Sequence, residues 1–426
     1  MKKTLLVGSA LMLLSTSAFA TKARLMALGE DKDGSYYISD YRNVYINPSE
    51  LGSFGNLAVL EWGGAGKNVN AANTGATVDS DAKTKAQGGM IYKLSNGMSV
   101  GAILGDETDV AALTRILASN GGASQTAFLQ TADNVVDLFV SGDAGVKWGA
   151  NLLYTEGSNK AAGARYKQNS IATRLGVSSD AWNAHLLVAL GAKADAPDYT
   201  HTPTYKGKLG FRLGGGYDVN ESGKVFGMYE SYSWKQKNAS TAERVGKFSK
   251  MIVGYGHTQK VTDSGSLFIK GQFDLIKVEL EAITGLVAAK IDRMSVPLTV
   301  GYEHAALSWL TLRGSVVQNI YGTVKDSGLT ANLGGATGSV TGAVTRGLAN
   351  QRYGSSTTGN GGKKTLANST TVNAGATLKF GSLEVDGLIG ATPASRTGAP
   401  GDTANTNAGV LALDNLETRV GMTYKF

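Results

Sequence analysis

The chain ends Leu416-Glu417-Thr418-Arg419-Val420-Gly421-Met422-Thr423-Tyr424-Lys425-Phe426. Leu416, Thr418, Val420, Met422, Tyr424 and Phe426 share one parity, and Glu417, Arg419, Gly421, Thr423 and Lys425 the other, so every charge lies on one side. Period two with that sorting marks a β-strand with one apolar and one polar face. The split recurs upstream. Leu209, Phe211, Leu213 and Tyr217 oppose Lys208, Arg212 and Asp218; Leu267, Ile269 and Phe273 oppose Lys270, Gln272 and Asp274. Met294, Val296, Leu298, Val300 and Tyr302 oppose Arg293, Ser295, Thr299 and Glu303.

Sixteen segments read this way: roughly 57–63, 85–94, 98–105, 134–140, 145–155, 165–177, 181–192, 205–219, 224–236, 247–258, 266–277, 290–304, 309–319, 369–380, 383–391 and 415–426. Short turn-like links such as Ser95-Asn96-Gly97 and Gly381-Ser382 follow even-numbered segments, and longer links such as 65–84, 106–133, 320–368 and 392–414 follow odd-numbered ones. That alternation fits a transmembrane barrel with tight turns on one rim and long loops on the other. The loop 320–368 is long enough to hold a further hairpin, which keeps the count between 14 and 18. One segment breaks the rule. In 224–236, Phe226, Met228, Tyr232 and Trp234 share parity with Lys224 and Glu230, which a bulge or another register would repair.

Lipid on the apolar side explains the charge parity, because a Lys or Arg facing lipid at the midplane costs about 2–4 kcal/mol. Unpaired backbone groups are equally intolerable there, so the sheet must close. Trp62, Tyr92, Trp148, Tyr154, Trp182, Tyr217, Tyr255, Tyr302 and Tyr424 sit near strand ends on the apolar face, as aromatic girdles do. The expected fold is therefore all-β: a transmembrane antiparallel β-barrel of about 16 strands, with short periplasmic turns and long external loops.

Composition agrees. The 426 residues include 41 Lys+Arg against 34 Asp+Glu, for a formal charge of +7, and no cysteine. Disulfides, thiolate metal sites and cysteine nucleophiles are thereby excluded. Glycine, at 57 residues, is nearly twice its ordinary usage and falls inside strands at Gly101, Gly149, Gly176, Gly301, Gly375 and Gly421, among others. Bending and coiling of a closed sheet is the expected reason. The Gly-rich run Gly359 to Thr365 lacks the strand–loop–helix context and the Ser/Thr directly after Gly-Lys that a phosphate loop needs.

Lys2 and Lys3, an apolar stretch from Leu5 to Leu14, and Ala18-Phe19-Ala20 form the anatomy of a cleaved secretory signal. The expected organisation is a signal peptide over 1–20, an N-terminal periplasmic or plug-like segment over 21–56, and the barrel over 57–426.

The terminal Tyr424-Lys425-Phe426 resembles the assembly signal of Gram-negative outer-membrane proteins, and the whole chain after the signal resembles the porin group. More narrowly, Arg24 to Gly29, Gly34 to Pro48 and Pro297 to Val316 resemble the major outer-membrane porin-like proteins of Bdellovibrio-type bacteria. The resemblance implies an outer-membrane location, contact with outer-membrane lipids and lipopolysaccharide, the barrel-assembly machinery as partner, a homotrimer, and no nucleic acid. It implies passive diffusion of small hydrophilic solutes, with no cofactor.

About sixteen strands leave an aqueous channel. Lys93, Lys147, Arg174, Arg212, Lys270, Arg293, Arg313 and Arg419 are the expected pore-lining cations. On the lumen parity twelve basic residues face eight acidic ones, which points to a mild anion preference or to a balanced, solvated wall. Val110, Leu113, Arg115 and Ile116 lie in a stretch of helical spacing within loop 106–133, a candidate constriction or an external loop helix. The second functional reading starts from Asn47-Pro48-Ser49-Glu50-Leu51, which resembles the Asn-Pro-small residue motif at the start of long-chain fatty-acid transporter barrels. That likeness implies a plugged barrel of fourteen strands for hydrophobic compounds. Catalysis is not expected. The four histidines, His185, His201, His257 and His304, have neither a local nucleophile motif nor metal-ligand spacing around them.

Overall fold

The computed structural model describes residues 21–65, 85–105, 135–161, 164–195, 204–237, 243–283, 288–327, 363–365, 370–391 and 416–426. They form a single antiparallel sheet that closes on itself. The strands are β1 Leu57–Ala65, β2 Lys85–Lys93, β3 Ser99–Leu104, β4 Val135–Asp143, β5 Lys147–Ala161, β6 Ala164–Ser178 and β7 Trp182–Asp195. β8 runs in two pieces, Thr204–Gly207 and Gly210–Asp218, followed by β9 Gly223–Lys237, β10 Arg244–Thr262, β11 Gly265–Leu280, β12 Ala289–Leu307 and β13 Leu310–Ser327. β14, also in two pieces, is Lys363–Thr365 and Thr370–Phe380; β15 is Leu383–Ala391 and β16 Leu416–Lys425. Both pieces of β8 pair with β7 and β9, and both pieces of β14 pair with β13, so the barrel has sixteen strands. Closure comes from β1, which pairs with β2 on one side and β16 on the other, Leu57 opposite Lys425.

The two faces sort as the lipid argument requires. Leu60, Met90, Leu138, Leu152, Leu175, Leu213, Val253, Val300, Leu312 and Ile389 are exposed on the outer face. Aromatics mark both its borders, Tyr92, Trp148, Trp182 and Tyr424 near the short turns and Tyr154 and Tyr321 toward the opposite rim. Tyr424 and Phe426 point outward, and Phe426 stacks on Tyr92 with ring centroids 6.4 Å apart. β10 and β12, at 19 residues each, and β13, at 18, exceed the ~9–11 residues that cross a bilayer, and so stand clear of it. β13 continues through Ser327, into what the sequence reads as loop.

β9 itself carries no bulge, and the one-residue shift in its pairing to β8, between Ser231–Phe211 and Trp234–Gly207, is taken up by an extra residue in β8. Its pairing to β10 runs unbroken from Gly223–His257 to Gln236–Arg244. Phe226, Met228, Glu230, Tyr232 and Trp234 all point inward and are buried. The repair expected for this strand is unnecessary, because the barrel interior is apolar along this wall. Irregularities lie elsewhere: β7 accommodates an extra residue at Leu190, and β12–β13 shift register at Pro297, which has no N–H to give the ladder.

Residues 21–56 fold inside this wall. Helix α1, Lys22–Ala27, is followed by two 3-10 turns, Tyr41–Tyr45 and Pro48–Ser53. They pack on the inward faces of strands around the circumference, at the end of the barrel that carries the short turns.

Candidate functional site

Short capped turns build the N-terminal segment, since no part of it is long enough for a self-sustaining helix. Asp40 caps the first 3-10 turn by accepting from Arg42 N at 2.9 Å. Asn47 caps the second by accepting from Ser49 N at 3.1 Å, with Pro48 at its first position. The Asn-Pro-Ser run is thus a turn starter, and it is also a docking element. Asn47 Nδ2 donates to the Val177 carbonyl at 3.2 Å, and the Ser49 and Ser178 hydroxyls share a hydrogen bond at 2.9 Å.

The barrel makes room for this segment with glycine. A Cβ at Gly149 would overlap the Pro48 carbonyl, one at Gly176 the Asn47 side chain, and one at Gly421 Thr21. At Gly301 it would lie 2.9 Å from the Leu28 carbonyl, and at Gly375 2.7 Å from Ala27 Cβ. Bending of the sheet, the expected role of strand glycine, is not what these positions serve: they are close-approach sites. Gly271 and Gly387, on the lipid side, meet nothing within 4 Å.

Charge holds the segment in place. Arg24 grips Glu303 in a forked pair, Nε to Oε2 at 2.9 Å and Nη2 to Oε1 at 3.2 Å, and reaches Asp40 at 3.3 Å. Arg313 from β13 bonds Glu303 and Asp386. Arg42 pairs with Glu61 of β1 at 3.3 Å and lies over the Tyr45 ring at 4.1 Å. Lys270 of β11 meets Glu30 at 2.6 Å. Tyr36 stacks on Phe226 with centroids 4.9 Å apart, and its hydroxyl shares a 2.8 Å hydrogen bond with His185 Nε2. Beneath these, Tyr41, Val44, Tyr45, Leu51 and Phe54 form an apolar cluster with Leu57, Val59, Ile91, Ile103 and Phe139 of the wall. Tyr36→Phe keeps the stacked ring but strips His185 of its partner. The expected cost to docking is about 1–3 kcal/mol, the penalty of a buried unpaired polar group. It should appear as faster proteolysis of residues 21–56 in the folded barrel; unchanged protection would refute the importance of this bond.

The cations singled out in the sequence have distinct surroundings. Lys93 and Lys147 are exposed at the short-turn rim. Arg174 is buried with Nη1 2.7 Å from Asp137 Oδ1, and Arg212 Nε lies 2.8 Å from Glu230 Oε2. Lys270 and Arg313 are tied to Glu30, Glu303 and Asp386 as above. Arg293 is buried and close enough to Asp274 to act on it, and Arg419 faces inward beside Gly63. Arg174, Arg212, Lys270 and Arg313 are thus each paired with a carboxylate. Parity alone could not show the pairing: Glu230 and Glu303 stand directly opposite Arg212 and Arg313 on the next strand, but Asp137 and Asp386 lie two strands from their arginines and Glu30 in the N-terminal segment. Val110, Leu113, Arg115 and Ile116 lie outside the described residues.

Toward the opposite rim the interior changes character. Tyr205 of β8, Tyr232 and Trp234 of β9, Phe248 of β10, and Ile276, Val278 and Leu280 of β11 are inward-facing and buried, Trp234 to 1 %. Trp234 lies against Gly246, where a Cβ would strike the indole. Eight residues, roughly 26 Å of strand, separate Trp234 from Phe226, where the N-terminal segment docks. Sequence parity does signal this wall, through the β9 segment that had no clean polar face.

No family model matches the chain, and no curated protein matches it. Solved structures do. The toluene transporter TbuX of Ralstonia pickettii aligns over 96% of this chain and 99% of its own at 10% identity and a TM-score of 0.38. A FadL homologue of Pseudomonas aeruginosa aligns over 96% and 98% at 9% identity and 0.36. OmpT, an outer membrane protein of Vibrio cholerae, aligns over 87% and 96% at 12% identity and 0.35. The chain's own pairing makes it a closed sixteen-strand antiparallel β-barrel. Its narrower resemblance to the porin-like proteins of Bdellovibrio-type bacteria finds no support among these structures, and the likenesses themselves are too distant to identify a cargo.

Proposed function

We propose that this barrel passes small hydrophobic molecules across the outer membrane, through a lumen that residues 21–56 keep closed to free diffusion of water-soluble solutes. This is the second of the two readings of the sequence, with sixteen strands in place of the fourteen that its likeness implied. The observation that carries it is the buried apolar wall of Tyr205, Tyr232, Trp234, Phe248, Ile276, Val278 and Leu280. A diffusion pore presents a polar, wetted face at those positions, whereas sites for hydrophobic ligands are lined mostly by aromatic and aliphatic side chains with few polar groups. The Tyr232 hydroxyl is such a group, buried and without a hydrogen-bond partner among the described residues.

Two measurements on the purified, folded protein test the proposal. In planar bilayers and in liposome-swelling assays with small sugars, the native chain is expected to stay near baseline. Toluene, used as the probe, is expected to bind saturably by titration calorimetry, and Phe248→Asp to abolish that binding by setting an unpaired carboxylate in the wall. A steady ohmic conductance with rapid sugar entry and no saturable toluene binding would return the protein to the hydrophilic-porin reading.

A further inference from the structure

Thr21 is wholly buried at the point where the N-terminal segment enters the barrel. Its hydroxyl donates to Asp386 Oδ2 at 3.0 Å, and the next backbone N–H, of Lys22, donates to Glu61 Oε1 at 2.6 Å. These two bonds close a ring. It runs from Asp386 through Arg313, Glu303, Arg24, Asp40, Arg42 and Glu61 back to Lys22 and Thr21. Gly421 of the terminal strand supplies the space, since a side chain there would overlap Thr21.

We infer that the structure assigns this ring as a binding site for the α-ammonium group created by signal cleavage between Ala20 and Thr21, so that maturation completes the seating of the N-terminal segment. Sequence and structure meet here independently. Ala18-Phe19-Ala20 is a small-x-small cleavage pattern, and the residue that follows it is the one the barrel buries between carboxylates. The cut is a hydrolysis by a signal peptidase. Water adds across the Ala20–Thr21 amide, the C–N bond breaks, and the products at neutral pH are the Ala20 carboxylate and the Thr21 ammonium. An amide at Thr21 contributes one donor and no charge. The ammonium contributes three donors and a full positive charge.

The ring has a use for that charge. Burial lifts the Asp40 carboxyl to about 7, with Asp386 pushing the same way, even though Arg24 and Arg42 stand beside it. Asp33, a few residues away, is half-buried, and Lys32, Arg42 and Lys22 hold its carboxyl below the usual range. Thr21 itself sits between Asp386 and Glu61, whose oxygens already accept from its hydroxyl and from the following N–H, and a cation at the chain's new end places a positive charge beside both.

The test uses the protein purified from cells with its own signal. Mass spectrometry is expected to find Thr21 as the first residue, and a different start overturns the proposal. An amine-reactive acetylating reagent at neutral pH is expected to label the Thr21 amine of the folded barrel roughly tenfold or more slowly than that of the unfolded chain, because adjacent carboxylates keep the amine protonated. Equal labelling rates overturn it. A chain refolded with Ala20 retained is expected to leave residues 21–56 open to protease, and full protection in that chain also overturns it. None of these readouts depends on what crosses the barrel.

Discussion

An Arg24→Glu chain is expected to assemble a barrel that conducts. The substitution sets a carboxylate against Glu303 and Asp40 where a guanidinium had paired with both. Breaking a buried pair by losing one partner costs about 3–5 kcal/mol, and reversing the charge adds repulsion. Arg24 ties helix α1 both to the wall at Glu303 and to the first 3-10 turn at Asp40, so its reversal should unseat the segment while the strand ladder remains. A sixteen-strand barrel without its filling has room for water. Planar-bilayer recordings should change from a closed baseline to steady, ohmic, salt-dependent openings, with heat-modifiable gel mobility confirming an intact barrel. An intact Arg24→Glu barrel that stays silent would show that residues 21–56 are not what closes the lumen.

Gly149→Ala should act from the wall side. The added methyl would overlap the Pro48 carbonyl, which is backbone held by the Asn47 cap and cannot swing aside. Overpacking of this kind costs about 1–3 kcal/mol and falls on the docked segment rather than on the ladder, whose bonds are unaffected. Gly387→Ala provides the comparison, because the lipid-side methyl meets nothing within 4 Å. The expected result is rapid proteolysis of the Asn47–Ser49 region in Gly149→Ala and wild-type protection in Gly387→Ala. Equal protection in the two would mean that strand glycines serve the sheet and not the segment it encloses.

These expectations show where sequence reading reached and where it stopped. Lys93, Arg174, Arg313 and Arg419 could be placed on the inner face from parity alone, because lipid forbids them the outer one. Their partners could not. Arg174 finds Asp137 two strands away, and Arg313 finds Asp386, contacts that only the closed register brings within reach. In β9 the lipid rule correctly indicated that something was unusual. The assumption that a barrel interior must be polar then hid the cause, since Phe226 and Trp234 face inward onto an aromatic ring and a glycine.

A barrel of about sixteen strands, their inner and outer faces and the closed sheet follow from the amino-acid sequence by itself, because each strand must satisfy lipid locally at every second residue. What fills the barrel was decided by tertiary structure. Residues 21–56 show only a weak alternation from Ser35 to Ile46, and their place rests on pairs such as Arg24 with Glu303 and Tyr36 with His185, which are remote along the chain. Such contacts leave no local pattern, since their free energy arises only when the closed wall removes both partners from water together.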